Sequence, residues 1–105
     1  MKTKSIVTKY ESYCVFCGQP TTTDHHLVFG RGIRQLADED GLKLPVCDKC
    51  HTLGNLTERI HDNIMAEKLS KICGQLAYEK QKRSEGFTTD ESRIMFRKRY
   101  GVSYL

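Results

Sequence analysis

The spacing of hydrophobic positions changes character partway along the chain. Up to Gly54 they come in short blocks. The segment "TTTDHHLVF", residues 21–29, is rich in Thr, Val and Phe and is closed by the turn "GRG", while "LKLPV", residues 42–46, alternates apolar with polar. Both patterns predict short strands. Between them "IRQLADED" suits a short helix that ends before Gly41. After Gly54 the period becomes helical, with Ile60, Ile64, Met65, Leu69, Ile72, Cys73 and Leu76 marking one face to about Lys82. Asn55 followed by Glu58 has N-cap chemistry for that long helix, and Gly74 interrupts it. A second helix is expected from the capping box Thr88 and Glu91 to just before Gly101, with Ile94, Met95, Phe96 and Tyr100 as its apolar contacts.

Such short strands and two late helices describe a small α+β domain, and 105 residues give it a core that needs a staple. The five cysteines supply one. Cys14 and Cys17 form one C-x-x-C pair, and Cys47 and Cys50 form another. Two such knuckles complete the four-thiolate shell preferred by structural zinc. The sequence "CDKCH" also matches a haem-attachment pattern, and a single pair matches a redox dithiol, but each leaves the other pair idle. Cys73 falls on the apolar face of the long helix, where a buried thiol is expected.

Charge and composition add little that is decisive. The formal charge of +4 becomes roughly +2 if four thiolates surround one zinc. Basic residues group at Lys2, Lys4 and Lys9, around Arg31 and Arg34, and in "KQKR" and "RKR" further on. That distribution permits nucleic-acid binding. No apolar run is long enough for a membrane span, and the polar, basic start lacks the features of a secretory signal, so a cytoplasmic protein is expected.

The 29 residues between Cys17 and Cys47 exceed the roughly 15–20 of a simple zinc ribbon. The insert carries His25 and His26 side by side; His51 follows the last knuckle cysteine directly, and His61 is placed early on the long helix. Neighbours on a strand point to opposite faces, so the paired histidines have two separate jobs. Closing the zinc site lifts a two-stranded insert between the knuckles and lets all four histidines converge.

In this order, C-x-x-C, "DHHL", a Gly-containing insert, a Leu-Pro strand, C-x-x-C-H and a later His, the chain resembles the zinc-stapled branch of the HNH endonucleases. The stretches "HHLVFG", "CDKCH...IH" and "FRKRYGVSYL" are similar to small HNH-like proteins of phages and prophages. The resemblance implies a ββα-metal finger at residues 14–61 with a helical extension at 62–105, together one domain over 1–105. It also implies metal-dependent hydrolysis of phosphodiester bonds in DNA, in the cytoplasm of a bacterial host. By the same match His26 is the general base, and His25, His51 and His61 hold a catalytic divalent cation such as magnesium, manganese, nickel or zinc. The family's shorter spacing after His51 reaches Asn55, which is the alternative third ligand. The family's middle asparagine, which orients the base, is replaced by Asp40 or Gly41, and Asp24 is a further candidate ligand or orienting group. Arg31 and Arg34 are candidate DNA contacts. A homodimer, or a host or phage protein partner, fits a domain of this size. The alternative is a non-catalytic, zinc-stabilised DNA- or protein-binding module on the same scaffold.

Overall fold

Asp24–His26 (β1) and Lys43–Pro45 (β2) pair antiparallel, with Asp24 opposite Pro45, His25 opposite Leu44 and His26 opposite Lys43. The computed structural model describes residues 3–105, so Lys2 of the basic N-terminal group lies outside the described residues. Between the strands runs α1, Ile33–Glu39. A single wide helical turn over Lys49–Leu53 follows the second knuckle, and then come α2, Ile64–Ser84, and α3, Thr89–Tyr100. The molecule is thus a small α+β fold with a two-stranded sheet. Among the described residues no helix is long and apolar enough to cross a membrane.

Local chemistry explains the helix ends. The Thr88 hydroxyl accepts from the N–H of Glu91, whose carboxylate accepts from the N–H of Thr88, and Gly101 closes α3 at φ 81°. The long helix starts nine residues later than Asn55: Asn63 caps α2 by accepting from the N–H of Ala66 at 3.3 Å. Residues 55–62 instead form turns. Asp62 adopts a positive φ of 64°, and Arg59 donates to the carbonyls of Thr52, Gly54 and His61. This cross-linked loop stops helix growth, and His61 therefore precedes α2 rather than lying on it.

Leu27, Val28, Ala37, Leu42, Tyr78, Phe96 and Tyr100 form the main core, joining the strand region to all three helices. A second cluster of Cys14, Val46 and Ile60 sits under the cysteines. The face that α2 buries differs from its apolar stripe. Ser70, Gly74, Gln75, Tyr78 and Glu79 are buried, whereas Ile64, Met65, Leu69, Cys73 and Leu76 are exposed. Gly74 is the reason for this rotation: a Cβ there would lie 2.6 Å from Val28 Cγ2. The glycine lets α2 approach the segment after β1, and the polar residues flanking it are paired. Gln75 donates to Glu79 and Ser103 and accepts from the N–H of Tyr104, while Arg93 of α3 donates to Glu79. Cys73 is accordingly not the buried thiol expected; it stands at the rim of an apolar cavity of about 270 Å³ with Phe16 and Leu69.

Candidate metal centre and adjoining cavity

The first knuckle turns back on itself through the N–H of Gly18 donating to Cys14 and that of Cys14 donating to Gln19. The second knuckle lies beside it. The four sulfurs of Cys14, Cys17, Cys47 and Cys50 fall within 4.8 Å of one another, with 3.5 Å between Cys17 and Cys47. A tetrahedral zinc with bonds of about 2.3 Å sets its thiolates roughly 3.8 Å apart, so the cluster could hold such an ion. Packing the thiols together frustrates their ionisation. Cys50 is pushed up to about 12, by burial first and then by the neighbouring thiols. Burial also works against the Cys14 thiolate, but hydrogen bonds from the backbone of Cys47, Cys17 and Phe16 bring it down to about 6. A cation at the centre removes the conflict, because each thiolate then faces positive charge.

The second cluster is made of histidines. His25, His51 and His61 each bring a ring nitrogen within 4.8 Å of the others, and their ring centroids are 4.5–5.1 Å apart. The strand supplies His25, the turn after the second knuckle supplies His51, and backbone bonds bring His61 back. The N–H of Ile60 donates to Cys50 at 3.0 Å and that of His61 to His51 at 3.1 Å. Phe29 walls the cluster, edge-on to both His25 and His61.

Hydrogen bonding decides which nitrogens are available. The Ser70 hydroxyl donates to the carbonyl of Leu27 at 2.7 Å, so its oxygen accepts from His25 Nε2–H, also at 2.7 Å. This fixes the tautomer and leaves His25 Nδ1 with its lone pair. That atom is the one buried side-chain nitrogen or oxygen among the described residues without a hydrogen-bond partner. A buried imidazole with an orphaned lone pair, 1% exposed, is suited to a metal. Its basicity is suppressed: burial, then the neighbouring His51, His61 and His26, hold His25 at about 3, and His51 is also lowered, again mainly by burial. Both rings therefore stay neutral, the form that binds a cation. His61 Nδ1 lies 3.3 Å from Glu67 Oε2, which as a donor–carboxylate contact leaves Nε2 for a ligand.

His26 points the other way, as expected for alternate strand residues. Its Nε2 is 3.0 Å from Asp38 Oδ1, and Arg34 Nε donates to its Nδ1 at 3.3 Å. Since Arg34 can only donate, Nδ1 is the acceptor and Nε2 carries the proton given to Asp38. The buried Lys43 ammonium also holds Asp38, at 3.0 Å. Hydrogen bonds from His26 and then Lys43 keep the Asp38 carboxyl below its ordinary range. All four histidines do approach one another, but in two roles: three face a common point, and His26 joins His51 and His61 only in lining an open cavity of about 310 Å³. Asp24, Phe29, Arg34 and Thr52 complete its wall.

Several expected positions move. Asp40 makes no hydrogen bond to His26; it accepts from Arg99 Nε and the Tyr100 hydroxyl, both at 2.6 Å, and ties α1 to α3. Nor does Gly41, whose backbone pairs with Ile6. The carboxylate at His26 Nε2 is that of Asp38. Its i,i+4 relation to Arg34 on α1 was the available signal, because such residues share a helix face. Asn55 is exposed in the turn, and His61 stands with His25 and His51. Asp24 borders the cavity outside the three-histidine cluster, and Arg31 is exposed and does not line it. Ser70 and Glu67 escaped sequence reasoning, since nothing in a helical pattern marks a serine or glutamate as a histidine's partner. No family model, curated protein or solved structure matches the chain.

Proposed function

We propose that the protein is a metal-dependent endonuclease of HNH type that hydrolyses phosphodiester bonds in DNA, with a structural zinc in the four-cysteine cluster. The observation that carries this reading is the pairing of a three-histidine cluster with a fourth, differently oriented histidine on one open cavity. In this reading β1, β2 and the region after the second knuckle form a ββα-metal finger, with the long helix buttressing rather than building it. The phage or prophage origin implied by the sequence resemblance belongs to the same proposal.

His25 through Nδ1, His61 through Nε2 and His51 would hold a divalent cation. When bound, such an ion supplies Lewis-acid stabilisation of negative charge on the phosphate and the leaving oxygen. Neutral imidazoles suit zinc or nickel better than magnesium, which favours oxygen ligands. His26 takes the proton from the attacking water at Nδ1, while Asp38 holds Nε2–H and stabilises the imidazolium that forms. Arg34 brings a planar guanidinium to the phosphate.

The test is nicking of supercoiled plasmid and single-stranded DNA with added magnesium, manganese, nickel or zinc, comparing wild type with His26→Ala at equal zinc content. Metal-dependent cutting that falls by about 10²–10⁴-fold in the variant is expected. Equal cutting by both proteins, or none by either, rejects the assignment. The second reading, a non-catalytic module that binds DNA or a host or phage protein, draws support from the exposed apolar residues Ile64, Met65, Leu69 and Leu76 of α2. It predicts binding that is indifferent to His26→Ala.

A further inference from the structure

The nuclease reading asks His26 to accept a proton, yet the lone pair that would do so is covered. Asp38 receives Nε2–H, and the remaining nitrogen, Nδ1, accepts from Arg34 Nε at 3.3 Å. Asp38 is itself held by Lys43, whose side chain is 3% exposed, so that side of the ring is fixed. The Arg34 side is looser. Arg34 is exposed, and its Nε–H donates to a ring nitrogen rather than to a carboxylate. A guanidinium gains more from a phosphodiester, which accepts two charge-assisted bonds in parallel, than from one neutral imidazole nitrogen.

The position of Arg34 makes that exchange short. It lines the cavity of about 310 Å³ shared with His51 and His61, and also an open trough of about 530 Å³ that continues past Gly32 and Gln35. His26 borders both. A strand crossing from one to the other passes its backbone over Arg34.

Resting on the nuclease reading, we propose that Arg34 caps the working nitrogen of His26 in the free protein and moves onto a substrate phosphodiester when nucleic acid enters, uncovering the base only in the complex. Water in the empty site then meets a histidine whose acceptor is already engaged. Substrate binding itself completes the catalytic arrangement.

The experiment follows the ¹⁵N resonance of His26 Nδ1 at fixed pH 8 in the full, zinc-loaded chain, for wild type, Arg34→Ala and Arg34→Lys. A phosphorothioate-linked DNA oligonucleotide is the probe. The free wild type is expected to differ from both variants, which lack the planar Nε–H, and saturation with the oligonucleotide is expected to move the wild-type signal to the Arg34→Ala position. Identical signals in the three free proteins overturn the cap. So does an unmoved wild-type signal while the amides of Thr52 and Gly32 report bound oligonucleotide, and so does an absence of any response in the cavity. Plasmid nicking by the same preparation separates the two ideas. Nicking with an unmoved cap keeps the nuclease and removes the switch, whereas cap transfer without nicking supports the switch and removes the nuclease.

Discussion

The N–H of His61 donates to the carbonyl of His51 across 3.1 Å, closing a ten-residue excursion onto its own starting point. Two candidate ligands separated along the chain are thereby set side by side before any ion arrives. Arg59 holds the excursion together from within, donating to Thr52 at 2.7 Å and to His61 at 2.9 Å. Arg59→Ala removes bonds from a charged donor to several carbonyls, a loss of about 2 kcal/mol or more. Metal affinity at the histidines should fall at least tenfold while four-cysteine zinc stays bound. Nickel titration followed by calorimetry, with zinc content checked in parallel, measures both.

A contrast between neighbouring aspartates tests the division between site and scaffold. Asp38→Asn slows plasmid nicking per folded molecule by up to about 10²–10⁴-fold, the worth of a well-placed base, and also lowers stability, because the buried Lys43 ammonium loses its carboxylate. Asp40→Asn acts on stability alone, loosening the tie to Arg99 and Tyr100 at a cost of about 1–3 kcal/mol, with little change in nicking per folded molecule. Denaturant midpoints and nicking rates for the pair are sufficient. Lost nicking per folded molecule in Asp40→Asn with nicking kept in Asp38→Asn would place Asp40, not Asp38, in support of His26.

Ser70→Ala leaves the buried His25 Nε2–H without its acceptor. The expected loss is about 1–3 kcal/mol in stability, together with about 10–100-fold in metal affinity, because the tautomer that presents Nδ1 is no longer enforced. Glu67→Gln, at a half-buried carboxylate 3.3 Å from His61, should cost less in both. An unchanged nickel affinity in Ser70→Ala would show that His25 does not bind through Nδ1.

Acid should find His25 before it finds the rest of the core. Burial, then the neighbouring histidines, hold its imidazole at about 3 in the folded chain, against roughly 6.5 when unfolded. Below about 6.5 the unfolded chain takes up a proton that the folded chain refuses, so stability falls as pH drops through that window. The slope for this group approaches about 1.4 kcal/mol per pH unit. Nitrogen-15 spectra should show a neutral His25 ring at pH 5 in folded protein, and His25→Phe should flatten the pH dependence of the denaturant midpoint between pH 6.5 and 5. An imidazolium at pH 5 would contradict the assignment.

Short-range chemistry was legible in the chain and long-range orientation was not. The cysteine pairs, the capping box of Thr88 and Glu91, the α1 segment and both strands follow from local spacing, and each appears where expected, the strands being shorter. The paired histidines were readable because strand neighbours must diverge. The rotation of α2 was not, since Gly74 permits a close approach that turns the exposed stripe outward, and only the position of Val28 reveals it. The start of α2 was misplaced for a related reason. Asn55 has capping chemistry, but Arg59 claims the carbonyls of Thr52 and Gly54, seven and five residues back, and Asp62 turns to a positive φ, a loop closure that no helical or strand period encodes. Asp38 in the last turn of α1 and Asp40 at its C-cap are two positions apart, a shift that moves a side chain to a different face and to different partners.

Gln75 links the last residues of the chain to the middle of α2, accepting from Tyr104 and donating to Ser103. The same helix carries Glu67 and Ser70 in its first turns. It acts as a beam clamped at its middle by Ser103 and Tyr104 and bearing the two histidine partners at its N-terminal end. Damage at that clamp is thereby transmitted along a rigid lever, about 12 Å from Glu67 to Gln75 at roughly 1.5 Å per residue, so a disturbance at Tyr104 is felt as misaligned imidazoles rather than as a frayed tail.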